Sequence, residues 1–355
     1  MNLHDLGYSS YFEQHAESMS IQRDDIGRVA AVDRGRFIIW NEHGEIPSEL
    51  TGKFNFGIRS SEDIPTVGDW VSLQYHDNRH AARITHVLPR RTFLRRKCVG
   101  KDTEHQMIAA NIDVAFIMQS CHFDFNVKRL DRYLIMVNDG HIEPVILLTK
   151  TDLVAPGAVE ACIASIRQSG MSARVIAVST VTGSGLDEFR GLLAPGMTYC
   201  LIGSSGVGKT TLINTLLGED RYDTKAVSGT GEGVHTTTRR ELVRLEGAML
   251  IDTPGMRELG LVGAHEGLGE TFDDIGALAA ECRFTDCSHT AEPGCAVRKA
   301  LTEGTLSEMH YESFMKLRKE SEYHEMSHAE KREKDKAFGR FINNAKKDIG
   351  KKKRL

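Results

Sequence analysis

The run Gly203-Ser204-Ser205-Gly206-Val207-Gly208-Lys209-Thr210 fits G-x-x-x-x-G-K-[ST] at every fixed position. Its chemistry is phosphate binding. The glycines let backbone N–H groups wrap anionic oxygens, and the helix N-terminus behind them adds partial positive charge. Lys209 is spaced to reach the outer phosphates, and the Thr210 hydroxyl to hold Mg²⁺, with Thr211 carrying the run into the helix. The flanks agree, since 198–202 has the pattern of a short buried strand and 211–217 that of a helix start.

A second constellation precedes the first. Pro144 to Leu148 is a buried-strand pattern ending in Thr149-Lys150-Thr151-Asp152, which fits the guanine-reading [NT]-K-x-D motif. Guanine presents N1–H and its 2-amino group side by side, and one carboxylate accepts both. Adenine would leave the Asp152 charge unpaired, at a cost on the order of several kcal/mol. Lys150 would lie along the base. Val175 to Ser179 is another strand, and Ser179 stands where a base-supporting loop belongs. After the phosphate loop come a Gly-rich run, 229–234, and His235-Thr236-Thr237-Thr238. Then Met249 to Asp252 is a strand delivering Asp-x-x-Gly, with Gly255 as its glycine. Asp252 would join the Mg²⁺ shell, the Gly255 N–H would contact the γ-phosphate, and Thr237 is the expected switch ligand of Mg²⁺. The order is base motif, phosphate loop, first switch, second switch: a circularly permuted GTPase.

These motifs need a scaffold, and the rest of the chain divides around them. The expected units are an N-terminal arm (1–22), a β-barrel (23–96), the permuted GTPase unit (97–262), a zinc-binding helical unit (263–330) and a basic tail (331–355). Strand patterns at 27–32, 36–40, 70–75 and 82–87 suit an OB-type barrel, which often binds nucleic acid. An SH3-like barrel is nearly as compatible. Residues 52–63 have the pattern of a loop or irregular strand, and 1–20 of a short helical arm. Near the C-terminus, Cys282-x4-Cys287-x-His289-x5-Cys295 offers three thiolates and an imidazole. Four protein ligands leave no open position, so this set points to one structural Zn²⁺. Asp286 and Glu292 are candidate outer partners. Cys98, Cys121, Cys162 and Cys200 are scattered and expected in cores. Helices are expected over 306–319 and about 329–347.

The chain has 355 residues and a formal net charge of −4, unevenly spread. Residues 79–101 and 331–355 each carry +8, leaving −20 elsewhere, which points to a polyanionic partner. No apolar run is long enough to span a membrane. The first residues lack a secretory signal pattern, and seven cysteines make an odd set, so a cytoplasmic setting without disulfides is expected.

Together these features closely resemble the small ribosomal subunit biogenesis GTPase RsgA (YjeQ/YloQ) family, over nearly the whole chain. The resemblance rests on Pro65–Val71, Asn111–Asp113, Leu130–Tyr133, the two nucleotide motifs, His235–Thr238, Asp252–Gly255 and above all the Cys282–Cys295 segment. It implies an OB-fold, a permuted GTPase domain and a zinc finger. It also implies a monomeric GTP hydrolase stimulated by the small ribosomal subunit, contacting its rRNA, and coupling hydrolysis to late subunit maturation and its own release. Two departures follow. Many relatives carry Asn where this chain has Thr149, whose amide ties the base loop to the phosphate loop, so a weaker tie is expected. Glu232 and Val234 stand where relatives often have basic residues before the switch His.

Met256 occupies the place after Asp-x-x-Gly where many GTPases hold a water-positioning Gln. The expected catalytic group is therefore His235. The competing expectation is an RNA-binding assembly factor with a structural guanine nucleotide and negligible turnover. An ATP-driven enzyme is disfavoured by Asp152.

Overall fold

The computed structural model describes residues 2–33, 35–97, 105–123, 125–219, 240–252, 265–325 and 330. His235, Thr237, Gly255, Met256, the basic tail and nearly all of the last expected helix lie outside them.

A 3-10 turn at His4–Leu6 and helix α1 (Ser10–Ser18) open the chain. Strands β1 (Ile26–Asp33), β2 (Arg36–Asn41) and β3 (Gly44–Leu50), a short helix α2 (Gly52–Gly57), and strands β4 (Trp70–His76) and β5 (Ala81–Val87) follow. They close in the order β1-β2-β3-β5-β4-β1, with β3–β5 parallel and the other pairs antiparallel. This closure, with a helix between the third and fourth strands, is the OB-type barrel and not the SH3-like one. β3 is hard to read from sequence because its inward positions, Ile46, Ser48 and Leu50, include a polar serine, and Pro47 weakens the strand signal further. The span read as loop or irregular strand begins instead with α2, whose start is capped by Thr51 Oγ1 accepting from the Phe54 N–H at 3.2 Å.

A ribbon of β6 (Phe93–Lys97) and β7 (His105–Ala110) leads into the nucleotide-type sheet. Its elements are β8 (Val114–Ser120), α3 (Val127–Asp139), β9 (Glu143–Thr149), α4 (Ala158–Gln168), β10 (Arg174–Ala177), α5 (Leu186–Arg190), β11 (Thr198–Gly203), α6 (Lys209–Leu217), β12 (Arg240–Leu245) and β13 (Ala248–Asp252). The strand order is β10-β9-β8-β11-β13-β12, parallel except for β12. Successive residues alternate between two cores. Val114, Phe116 and Met118 pack on one face, Ala115 and Ile117 on the other, as a sheet covered on both sides requires. Register aligns Ser120 with Thr149, Met118 with Gly203 and Leu201 with Asp252, so the motif-bearing strand ends share one edge.

β12 also pairs with barrel strand β1, through Ala31–Glu241 and Val32–Arg240. The barrel and the nucleotide-type sheet are therefore one continuous eleven-stranded sheet. The arm fills the seam. Tyr8 meets the Trp70 ring edge-on at 4.9 Å, and Phe12 lies 5.7 Å from it. Arg28, fully buried, donates to the carbonyls of Gly68 (3.2 Å), Asn111 (3.0 Å) and Leu6.

Helices α7 (His265–Thr271), α8 (Asp273–Ala280), α9 (Ala296–Glu303) and α10 (Glu308–Glu325) make the C-terminal unit. Its core includes Phe272, Ile275, Val297 and Leu317, completed by Ile135 from α3. Two further contacts clamp α10 to α3: Ser313 Oγ donates to Asp131, and Arg132 pairs with Glu320 through both guanidinium nitrogens.

Four of the eight basic residues of 79–101 meet carboxylates in space. Arg90 donates to buried Asp69 through two 2.8 Å bonds, Arg83 meets Glu49 at 3.1 Å, Arg95 meets Asp139 at 2.9 Å, and Arg91 pairs with Asp113. The acidic partners lie 21 to 44 residues away in sequence.

Candidate functional site

The phosphate loop leaves β11 at Gly203. A Cβ there would sit 2.4 Å from the Met118 carbonyl oxygen, so the close approach to β8 demands glycine. Gly206 and Gly208 have φ of +80° and +101°, the left-handed region glycine tolerates. Val207 is buried in the sheet core and anchors the loop between Ser204, Ser205 and Gly206 on one side and the helix on the other. α6 begins at Lys209 and carries Thr210 and Thr211 in its first turn.

Lys209 is buried, and its ammonium donates to the carbonyls of Gly203 (2.7 Å) and Ser204 (2.8 Å). Burial pulls its pKa down to about 8, against the attraction of Asp252. Asp252 ends β13 in the same enclosure. Burial raises its pKa, with Lys209 opposing. Both groups are pushed toward neutrality by the same dry surroundings, which strengthen the field each would exert on a bound ion.

The base motif closes the opposite end. Lys150 takes a left-handed φ of +58°, turning the chain sharply so that Thr151–Leu153 forms a 3-10 turn. Asp152 Oδ1 accepts from the Ser179 hydroxyl at 2.6 Å. Ser179 Oγ in turn accepts from the N–H groups of Val181 (3.2 Å) and Thr182 (3.1 Å). The two loops at this end are thus one hydrogen-bonded unit, with the Asp152 carboxylate exposed at its surface.

Thr149 links the two ends. Its hydroxyl lies 2.7 Å from the Val207 carbonyl oxygen and donates to it. The tie between base loop and phosphate loop, expected to be weaker without Asn, is made here by a threonine hydroxyl.

Arg129 is a site neighbour that no motif flags. Its guanidinium donates to Ser204 Oγ at 2.8 Å. The available signal was Asn126, a helix N-cap residue just after a buried strand, which puts the start of α3 beside the neighbouring strand's loop.

The four expected zinc ligands converge. All ligand atoms lie within 4.8 Å of one another. His289 Nδ1 is 3.6 Å from both Cys282 Sγ and Cys295 Sγ, and those sulfurs are 3.9 Å apart. A tetrahedral zinc with ordinary bond lengths would set these separations at about 3.6 and 3.8 Å. The Ala296 and Arg298 N–H groups point at the Cys282 and Cys295 sulfurs, at 3.3 and 3.5 Å, an arrangement that favours thiolate. Glu292 does not touch a ligand. It accepts from Ser288, Thr290 and Ala291 N–H groups and so shapes the loop that carries His289.

Among known proteins, a family model described as RsgA GTPase matches residues 87–262. A protein named small ribosomal subunit biogenesis GTPase RsgA from Opitutus terrae is 40% identical over 334 residues, 91% of this chain and 90% of its own length. One of the same name from Xylella fastidiosa is 48% identical over 257 residues, 72% of this chain and 73% of its own. The crystal structure of YjeQ from Thermotoga maritima has a TM-score of 0.60 at 24% identity, covering 82% of this chain and 96% of its own. That of YloQ, described as a circularly permuted GTPase, has a TM-score of 0.60 at 23% identity, covering 85% and 96%. These two likenesses concern the fold.

Proposed function

Because this chain belongs to the RsgA GTPase family, and is thus a ribosome-biogenesis GTPase, we propose that it binds the small ribosomal subunit and its rRNA and couples GTP hydrolysis to late maturation and its own release. The observation that carries this reading is the Thr149–Val207 bond. It joins an exposed carboxylate suited to guanine with a buried ammonium suited to phosphate, across the motif edge of one sheet.

In this reading Asp152 accepts from guanine N1–H and the 2-amino group while Ser179 holds its other face. Lys150 and Thr151 flank the base. Residues 203–208 wrap the phosphates, and Lys209 exchanges two carbonyl partners for phosphate oxygens. Thr210, Thr237 and Asp252 hold Mg²⁺, which neutralises charge on the outer phosphates. Gly255 contacts the terminal phosphate, and His235 orients the attacking water. Cys282, Cys287, His289 and Cys295 hold one zinc whose chemistry is structural. The protein acts as a cytoplasmic monomer, and no helix among the described residues is long and apolar enough to cross a membrane.

The test is phosphate release from GTP by the full chain, alone and with purified small or large ribosomal subunits. Stimulation by small subunits only is expected. Equal rates in all three conditions would refute the coupling. Met256 favours one second reading, a nucleotide that is bound but hardly turned over, and the same assay would show it as no release at all.

A further inference from the structure

Away from the nucleotide edge and the cysteine cluster, one more set of ligating side chains comes together. His141 follows α3, and Glu266 and Glu270 stand on α7. One ligand atom from each, an imidazole nitrogen and two carboxylate oxygens, lies within 4.8 Å of the other two. His141 Nε2 is 3.9 Å from Glu266 Oε2. All three side chains are exposed.

The backbone beneath them is tightly held. The chain turns at the end of α3, where His141 takes a left-handed φ of +56° and its N–H donates to the Asn138 carbonyl at 2.8 Å. Its ring meets Phe93 edge-on at 6.4 Å. α7 crosses α3 with the two backbones in contact: a Cβ on Gly267 would sit 2.1 Å from the Ile135 carbonyl oxygen and 2.5 Å from the Asp139 nitrogen. Asn138 Nδ2 donates to Thr271 Oγ1 at 3.0 Å across the same crossing. Leu268 and Phe272 turn into the core of the C-terminal unit, which leaves Glu266 and Glu270 side by side toward His141.

Two carboxylates at i,i+4 repel, and among the described residues neither of these meets a lysine or arginine. With a neutral imidazole the set carries −2, the charge a divalent cation cancels. The donors choose the ion. Mg²⁺ and Ca²⁺ take oxygen ligands, whereas an imidazole beside carboxylates suits zinc and its neighbours in the transition series. Metal bonds of about 2.0–2.2 Å place neighbouring ligand atoms roughly 3.0–3.4 Å apart. Exposed side chains close the remaining gap by small rotations.

We propose that His141, Glu266 and Glu270 form a second metal site in this chain, which takes a divalent transition ion of the zinc type and staples α7 to the end of α3. Three protein ligands leave positions for water, so this ion exchanges with the medium more readily than one held by the four ligands of the Cys282–Cys295 set. α7 is the first described helix after Asp252, so the staple joins the C-terminal unit to the nucleotide-type sheet behind the second-switch sequence. The inference does not depend on GTP turnover.

In the experiment the full chain, purified with the metal it retains, is dialysed against zinc buffered across the micromolar range, and zinc per chain is read by atomic emission. His141→Asn and Glu270→Gln are treated alike. Asparagine tolerates the left-handed backbone at 141, and glutamine keeps the shape of Glu270, so both variants should melt as the wild type does. The wild type should bind one zinc more than either variant. Affinity for that zinc should fall by at least about 10-fold in each variant, a scale reached even when an outer partner of a metal ligand is lost. Millimolar magnesium should not displace it, and hydrogen exchange across α7 should slow with zinc in the wild type alone. Equal zinc uptake by all three proteins would show adventitious binding at other histidines and overturn the site. Displacement by magnesium would overturn the ion class, and uptake without slowed exchange at α7 would overturn the staple.

Discussion

Thr149→Val changes one hydroxyl to a methyl of similar size, at a position only 5% exposed. The hydroxyl oxygen is 2.7 Å from the Val207 carbonyl and 3.3 Å from that of Gln119, so its single proton serves Val207. Removing the donor leaves a carbonyl in a dry site without this partner, a cost of about 1–3 kcal/mol. Part of that appears as lost stability. The rest appears in binding, because two loops no longer tied together must be ordered by the nucleotide. With about half of that cost in binding, at 1.4 kcal/mol per tenfold, guanine nucleotide affinity should fall by roughly 2- to 10-fold. Thr149→Ser keeps the hydroxyl and should stay within about twofold of wild type. Titration with fluorescent GDP, alongside thermal melts, reads both effects. If Thr149→Val binds GDP as tightly as the wild type, the bond does not couple the two ends of the site and the reasoning fails.

Asp152→Asn should shift preference from guanine to xanthine nucleotides, whose 2-oxo group accepts from the new amide; competition assays would refute this if GDP stayed preferred. One zinc per chain should copurify, and Cys287→Ser should lower metal content and loosen the C-terminal unit before the nucleotide sheet, as read by metal analysis and limited proteolysis; metal-free protein folded as shown would contradict the assignment. Lys209, titrating near pH 8 without phosphate, should take up a proton when GDP binds at that pH. GDP affinity should then be full below about pH 8 and fall as pH rises through the bound-state value. The stability of the nucleotide-free protein should instead gain from this group between its folded value and the unfolded one near pH 10.4, because the unfolded chain then binds more protons. Calorimetry in buffers of different ionisation enthalpy would detect the uptake, and its absence would remove the argument.

The nucleotide and zinc sets were legible because each is local: a few residues at fixed spacing carry a chemistry that few other patterns share. Gly203 to Thr210 and Cys282 to Cys295 are of this kind. What the linear chain hid are meetings between distant residues. Arg129 is one more arginine in a helical pattern until β8 and β11 are neighbours, which brings it 2.8 Å from a residue 75 positions on. Arg90 and Arg95 look like free surface charge until Asp69 and Asp139 fold against them. The arm carried no motif, and only packing of Tyr8 and Phe12 on Trp70 shows that it seals a seam. β3 was hidden for a different reason, a polar Ser48 on its inward face and a Pro47 that is unusual in a strand.

The pairing of β1 with β12 has a consequence for anyone who would cut this protein into modules. Without the barrel, β12 becomes the rim of the sheet, and the N–H and C=O groups it now shares with Ala31 and Val32 lie bare. Bare rims recruit strands from other molecules. A fragment beginning after β5 would thus gain a sticky margin at the strand that directly follows the first-switch sequence, and would lose the Trp70 and Arg28 anchors as well. The barrel is, in effect, a selvedge: it finishes the edge of the fabric that hydrolyses GTP, and any handle meant to report on that activity belongs elsewhere on the chain.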